Sequence, residues 1–321
     1  MLTVSPRVWL AFCAKLLVTL LLLTWLLIGV DWSEFTRIIS QAPIFPWLLA
    51  TVLLTTTLLP VARRWQLIVN ALGGGIAFME SLRVTSLIVL INQCVPSNLG
   101  GDAYRILMVT KQGMAWKRAV LAALIDRFAT LFALAIIALF GIFIIINTAG
   151  LADFALLTIA GASMMVAGVV AAWLIMRSRL FAKFAQRFEI LQKLLEVLAD
   201  LINSPGKTGT LVALSIGVHC LTVIVMAIIA VNTGIDVPLL SILGVCAVGL
   251  LLARLPISVS GWGVREGAYV VAFSAFGVTR EAALAASIAY GLTELTMAVA
   301  GGLAWLLMTG RNEADKGNIR E

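Results

Sequence analysis

Residues 8–30 run apolar for the length of a membrane crossing, with Lys15 as their only charge. A bilayer core about 30 Å thick takes roughly 20 residues of helix. Further runs of this kind fit Ile44–Pro60, Ala119–Ile146, Phe154–Met176, Gly209–Val231 and Ala282–Met308. The first run resembles a signal peptide, but it ends in Gly29-Val30-Asp31-Trp32 without a small-residue cleavage pattern and reads as a retained helix. A water-soluble fold of 321 residues has no means of covering 61% hydrophobic side chains with 12% charged ones. Disorder, a disulfide scaffold and a nucleic-acid binder are excluded on the same ground.

Two apolar segments are too short to cross. Val84–Cys94 runs into Pro96-Ser97-Asn98-Leu99-Gly100-Gly101-Asp102, and Pro238–Leu252 runs into Arg254-Leu255-Pro256-Ile257-Ser258-Val259-Ser260-Gly261-Trp262-Gly263. Proline removes a backbone donor and clashes with the preceding turn, and glycine weakens a helix. Short helices are expected to follow, around Ala103–Val109 and Val264–Phe276. The expected fold is therefore an all-α polytopic membrane protein, with six full crossings plus two re-entrant or broken helical hairpins arranged as inverted repeats.

The basic residues give an orientation. Of 23 Lys and Arg, seventeen fall on one side, among them Arg7, Lys15, Arg63, Arg64, Lys117, Arg118, Lys207 and Lys316, while Arg37 and Arg280 fall in loops on the other. The positive-inside rule then puts both termini in the cytoplasm of a bacterial inner membrane. The expected divisions are a first helix and loop (1–43), a first repeat half (44–176), a cytoplasmic connector (177–207), a second half (208–310) and a polar tail (311–321). Within the connector, Phe181, Phe184, Phe188, Leu191, Leu195, Leu198 and Ile202 recur at steps of three and four, an amphipathic helix on the leaflet surface. That stripe also permits self-association into a homo-oligomer.

Pro96 and Pro256 are 160 residues apart, as are Gly101 and Gly261. Each break leads through a short helix, a glycine turn (Gly113, Gly277) and a pair of charges (Lys117-Arg118, Arg280-Glu281) into a long alanine-rich crossing. Interrupted helices at matching positions of inverted repeats point to a transport site near the bilayer midplane. Half-helices starting at Asp102 and Val264 would offer N–H donors to an anion such as phosphate. The ionisable residues expected at this depth are Asp102 with Arg105, Asp126 with Arg127, Arg265 with Glu266, and Arg254 opposite Glu294. Each costs free energy in the membrane and needs a reason to be there. One reason is ligand binding, for which arginine's planar fork suits phosphate; the other is ion pairing that only locks helices together. The candidate substrate-binding set is thus Pro96, Asn98, Gly100, Gly101, Asp102, Arg105, Asp126, Arg127, Arg254, Pro256, Ser258, Gly261, Gly263, Arg265, Glu266 and Glu294.

No catalytic group or cofactor is expected. Cys13, Cys94, Cys220 and Cys246 form no paired motif and read as packed, reduced thiols, and His219, the single histidine, builds no metal site alone.

At the two breaks the chain resembles a known family, the flippase-like transmembrane domain of lysylphosphatidylglycerol synthases and its stand-alone relatives. The blocks that carry the resemblance are Pro96-Ser-Asn-Leu-Gly-Gly-Asp-Ala-Tyr-Arg105 with Gln112-Gly113 and Asp126-Arg127, and Leu255-Pro256-Ile-Ser-Val-Ser-Gly-Trp-Gly-Val-Arg265-Glu266-Gly267. It covers nearly the whole chain. The resemblance implies two pseudo-symmetric halves that move an anionic phospholipid, an aminoacyl-lipid or a polyprenyl-phosphate or hopanoid-type molecule between leaflets. It also implies partner enzymes of lipid or surface-glycan synthesis. Only about a dozen polar residues follow Met308, so no aminoacyl-transfer activity is expected of this chain. The alternatives are a membrane enzyme acting on a lipid phosphate and a secondary transporter of a small solute.

Overall fold

The computed structural model describes residues 6–94, 100–148, 204–254, 258–259 and 261–318, and every regular element among them is an α-helix. The expected crossing Phe154–Met176 and the amphipathic connector lie outside the described residues. In chain order the helices are α1 (Pro6–Leu27), α2 (Trp32–Gln41), α3 (Ile44–Thr56), α4 (Leu58–Ala71), α5 (Phe78–Cys94), α6 (Gly100–Lys111) and α7 (Trp116–Thr148). After residues 149–203 come α8 (Pro205–Asn232), α9 (Leu239–Ala253), α10 (Val264–Ser274) and α11 (Arg280–Asn318).

Among the described residues, four helical stretches are long and apolar enough to cross a bilayer: Ile44–Ala71, Trp116–Thr148, Gly206–Asn232 and Arg280–Thr309. A fifth crossing results if α1 and α2 are one span bent by 94°. The bend has a local cause. The Asp31 carboxylate accepts from the Ser33 and Glu34 amides at 2.9 and 3.2 Å and so starts a new helix. That helix, α2, carries Glu34 and Arg37, buries none of its residues and leaves the direction of α1.

The run that the sequence ends at Pro60 goes on to Ala71. Pro60 is the third residue of α4, where its missing N–H has no helical partner to lose, so the helix restarts after Thr57 instead of stopping. This correction carries Arg64 and Trp65 into the span.

Large apolar side chains face outward all along these helices, including Leu17, Leu21, Phe128, Phe140, Phe143, Leu303 and Leu307. A soluble protein would bury them; here the surrounding solvent is hydrocarbon. Three of the four thiols, Cys13, Cys94 and Cys220, also face outward, and only Cys246 is packed.

The two interrupted segments fold as hairpins, α5 against α6 and α9 against α10. Each hairpin also packs on the long helix that follows the other one: α9 lies along α7, and α5 lies along α11. Small residues make both contacts close. A Cβ on Gly141 of α7 would meet the Gly244 carbonyl oxygen of α9 at 2.7 Å, and one on Gly301 of α11 would meet the Ser86 carbonyl oxygen of α5 at 2.7 Å. Small side chains let membrane helices approach to van der Waals contact, which is the main attraction between them in lipid. Gly141 and Gly301 are themselves 160 residues apart. Helix α8 is the common neighbour, touching α3, α4, α7, α9 and α11. Helix α1 covers α10, with Leu22 against Gly263 and the Thr19 hydroxyl accepting from the Val259 amide at 2.9 Å.

Candidate functional site

Arg105 and Arg265 are also 160 residues apart. Each lies in the short helix that follows its break, and each is buried, with relative exposures of 7% and 2%. A buried guanidinium at membrane depth needs anions around it, and both have two carboxylates. One comes from the arginine's own helix and one from the long helix after it.

In the first half, Arg105 Nη2 bonds Asp102 Oδ1 at 2.6 Å and Nη1 donates to Asp126 Oδ2 at 2.7 Å. Asp126 takes a second arginine on its other oxygen, Arg64 Nε at 2.7 Å, and Arg64 also donates to the Ser215 hydroxyl of α8 at 3.2 Å. Asp102 is bonded in turn by Arg127 Nε. The result is a chain of alternating charges, Arg64–Asp126–Arg105–Asp102–Arg127, tying α4, α6, α7 and α8 together. Arg105 also stacks on Trp65, its Cζ 4.3 Å from the ring centroid.

In the second half, Arg265 Nη2 bonds Glu266 Oε1 at 2.8 Å and Nη1 bonds Glu294 Oε2 at 2.8 Å, while Nε is shared between Glu266 and the Ser287 hydroxyl. Two aromatic faces flank it, Trp262 and Tyr290, and the Tyr290 hydroxyl donates to Glu294 Oε1 at 3.2 Å. The most exposed member of the first cluster is Arg127, whose side chain is 38% exposed, and that of the second is Glu294, 24% exposed.

The half-helix starts differ from expectation. One N–H at each start already has an acceptor: Asn92 Oδ1 of α5 takes the Gly101 amide at 3.0 Å, and Glu266 Oε2 takes the Gly263 amide at 2.6 Å. Helix α6 begins at Gly100, two residues ahead of Asp102. Gly261 and Gly263 have φ of 82° and 85°, backbone that favours glycine, and this turns the chain sharply into α10.

Two expected pairings are replaced. Asp126 and Arg127 are neighbours on a helix and point about 100° apart, so they serve different partners instead of each other. Arg254 caps the end of α9 and is exposed, and Glu294 belongs to Arg265. Ser258 is buried, and its hydroxyl has no partner among the described residues. Pro96, Asn98 and Pro256 lie outside the described residues. The sequence reading missed Arg64, Trp65, Ser287 and Tyr290. The signal for the first two was available in the apolar residues that continue past Pro60.

A cavity of about 490 Å³ lies between α2, the α8–α9 turn and the α10–α11 turn, and another of about 200 Å³ lies by Gly73–Gly75. None of the clustered residues lines either of them.

The model of the family described as "Lysylphosphatidylglycerol synthase TM region" matches residues 12–302. The chain belongs to that family. A comparison with curated proteins found no match. Membership and the apolar helices together make this a multi-pass membrane protein, and the family connects it with membrane lipid. The matched residues contain both hairpins, both buried arginines and all four carboxylates that hold them.

Proposed function

We propose that this family member is a lipid translocator that moves an anionic phospholipid, an aminoacyl-lipid or a lipid-linked phosphate between leaflets, without catalysing a covalent step. The observation that carries the reading is the crossed arrangement of the two halves. Each hairpin brings a buried arginine to membrane depth and packs on the long helix of the other half. Burying an arginine between two carboxylates gives little net stability compared with apolar packing. What the arrangement provides is a set of ligands that a phosphate oxyanion can enter by exchange for a carboxylate.

In this reading the halves are inverted repeats around a pseudo-twofold axis, with six full crossings. Both termini are cytoplasmic in a bacterial inner membrane, as the basic residues direct. The halves rock against each other along the α7–α9 and α5–α11 contacts. The headgroup passes between Arg127 and Glu294 at the surface and the two buried arginines, while the acyl or prenyl tails stay in the bilayer. The drive is an ion or lipid gradient, or the exchange is passive.

The test is leaflet exchange of a headgroup-labelled lipid in liposomes carrying the purified protein. Wild type is expected to exceed empty vesicles, and Arg265→Ala to fall to the level of empty vesicles. Equal rates in all three contradict the proposal. Arg265→Lys, which keeps the charge beside Glu266 and Glu294, separates loss of transport from loss of folding.

A further inference from the structure

The cavities of about 490 and 200 Å³ sit at matching turns. Gly73 and Gly234, at the ends of α4 and α8, both have φ near 81°, and after each the next amide bonds back to a carbonyl five residues earlier, Gly74 to Val69 and Ile235 to Ala230. Gly113 and Gly277, at the ends of α6 and α10, repeat the pattern through Met114 to Val109 and Val278 to Phe273. The first turn of each kind lines the smaller cavity and the second lines the larger. The cavities lie at opposite ends of the bundle. The Asn232 side-chain amide donates to the Pro43 carbonyl at 3.0 Å, so α8 ends where the Ile44–Ala71 stretch begins, whereas Gly73 follows the far end of that stretch.

Matching turns account for the space but not for the charge in it. The described residues that line the smaller cavity carry no charge. The larger cavity has a further wall, α2, which presents Glu34, Arg37, Ile38 and Gln41, one face of the helix by their spacing. Trp32 and Ile39, on the other side of α2, are 53% and 41% exposed, and α2 turns 94° from α1. A helix lying across a spanning one with an exposed tryptophan sits at headgroup level, its apolar side toward the acyl chains. Arg37 donates from Nε and Nη2 to Glu34 and from Nη1 to Gln41. A guanidinium has five N–H groups, so two on Arg37 stay open, on a side chain 54% exposed. Asp236 is exposed and makes no hydrogen bond or ion pair among the described residues. One cavity thus offers open donors on a cation together with an open carboxylate.

We infer that this cavity takes a phosphate joined to an ammonium group, as in a zwitterionic aminophospholipid, the phosphate accepting from the open N–H groups of Arg37 and the ammonium donating to Asp236. Glu34 and Gln41 stay with Arg37 and hold the guanidinium in place. A phosphate without an ammonium leaves Asp236 as an unanswered like charge in the same cavity, so an anionic headgroup is disfavoured. The volume falls within the range of small-ligand sites, about 300–1,000 Å³. In the orientation that the basic residues direct, the site faces the outer leaflet. It is separate from the arginine clusters, and it stands whether or not the protein moves lipid.

The experiment follows amide hydrogen exchange of the full chain by mass spectrometry in a maltoside detergent. Dihexanoyl phosphatidylethanolamine, dihexanoyl phosphatidylglycerol and free phosphoethanolamine are each titrated. Peptides containing residues 233–236 and 276–279 are expected to gain protection saturably with the ethanolamine lipid. They are expected to need about fivefold more of the glycerol lipid, the upper range for one exposed ion pair. Asp236→Asn is expected to bring the two lipids level while leaving the bonds of Arg37 to Glu34 and Gln41 intact. Arg37→Gln is expected to weaken both lipids, and Arg63→Gln, exposed on α4, to behave as wild type. Protection by the ethanolamine lipid but not by phosphoethanolamine identifies a membrane lipid as the source of the headgroup; equal protection by both identifies the soluble molecule. Equal midpoints for the two lipids in wild type, a preference that survives in Asp236→Asn, or no protection at either turn overturns the site. If Arg37→Gln loosens α2, Asp236→Asn decides alone.

Discussion

At the scale of single residues, Asp126 has the most to lose. It is the one carboxylate that answers two buried arginines, Arg64 and Arg105, at 2.7 Å each. Removing it strands both, and breaking a buried pair costs about 3–5 kcal/mol. Asp126→Ala is therefore expected to lower the thermal midpoint in detergent much further than Arg127→Ala, whose side chain is 38% exposed. Equal midpoints would contradict the bridging role. In the exposed turn between α1 and α2, Asp31 gives a pH prediction. The Ser33 hydroxyl, then the Glu34 and Ser33 amides, hold its carboxyl below the usual range. A carboxylate lowered in the folded state stabilises above its unfolded value, and that contribution disappears as pH falls through the lowered one. Hydrogen-exchange protection of the Ser33 and Glu34 amides should hold down to about pH 4 and decline below it. Protection that declines between pH 7 and 5 would show that the cap is not the cause. Four of the buried charges, Arg105, Asp126, Arg265 and Glu266, were legible in the sequence, because charge inside an apolar run is conspicuous, whereas buried Arg64 was missed and Arg254 is exposed. Which of them would pair was not. Asp126 and Arg127 are adjacent in the chain yet diverge on the helix, and the partner of Asp126, Arg64, is 62 residues away.

At the scale of helices, apolar length was a sound guide to where they run and a poor one to where they end. The expected run ended at Pro60, and proline does break a helix interior. The sequence reading had no means of knowing that Thr57 would restart the helix and leave Pro60 in a first turn, where proline is harmless. The closeness of helix contacts was equally hidden, since a lone glycine in an apolar run has many explanations. The contact of α7 with α9 depends on Gly141 and Gly244, whose backbones leave no room for a side chain. Gly244→Val is expected to push the two helices apart and lower both the thermal midpoint and leaflet exchange. The same change at Gly217, with nothing within 4 Å of its Cβ position, should leave the midpoint near wild type. Comparable losses at the two positions would mean that valine is damaging wherever it is placed and that the close contact is not the reason.

At the scale of the molecule, the 160-residue interval between the breaks was visible from the chain alone, and the crossed packing explains its use. Each half places its hairpin on the other half's long helix, and the proposed transport takes place by movement at those contacts. The most direct test of the account is whether movement between the halves is needed for transport. A Cβ on Gly302 of α11 would lie 3.7 Å from the Leu90 Cβ of α5, within the range that a disulfide requires. Leu90→Cys with Gly302→Cys, in a background free of the native thiols, joins the two halves reversibly. Leaflet exchange in liposomes is expected to fall to the level of empty vesicles when the pair is oxidised and to return on reduction. Exchange at the same rate in the oxidised and reduced protein would contradict the account.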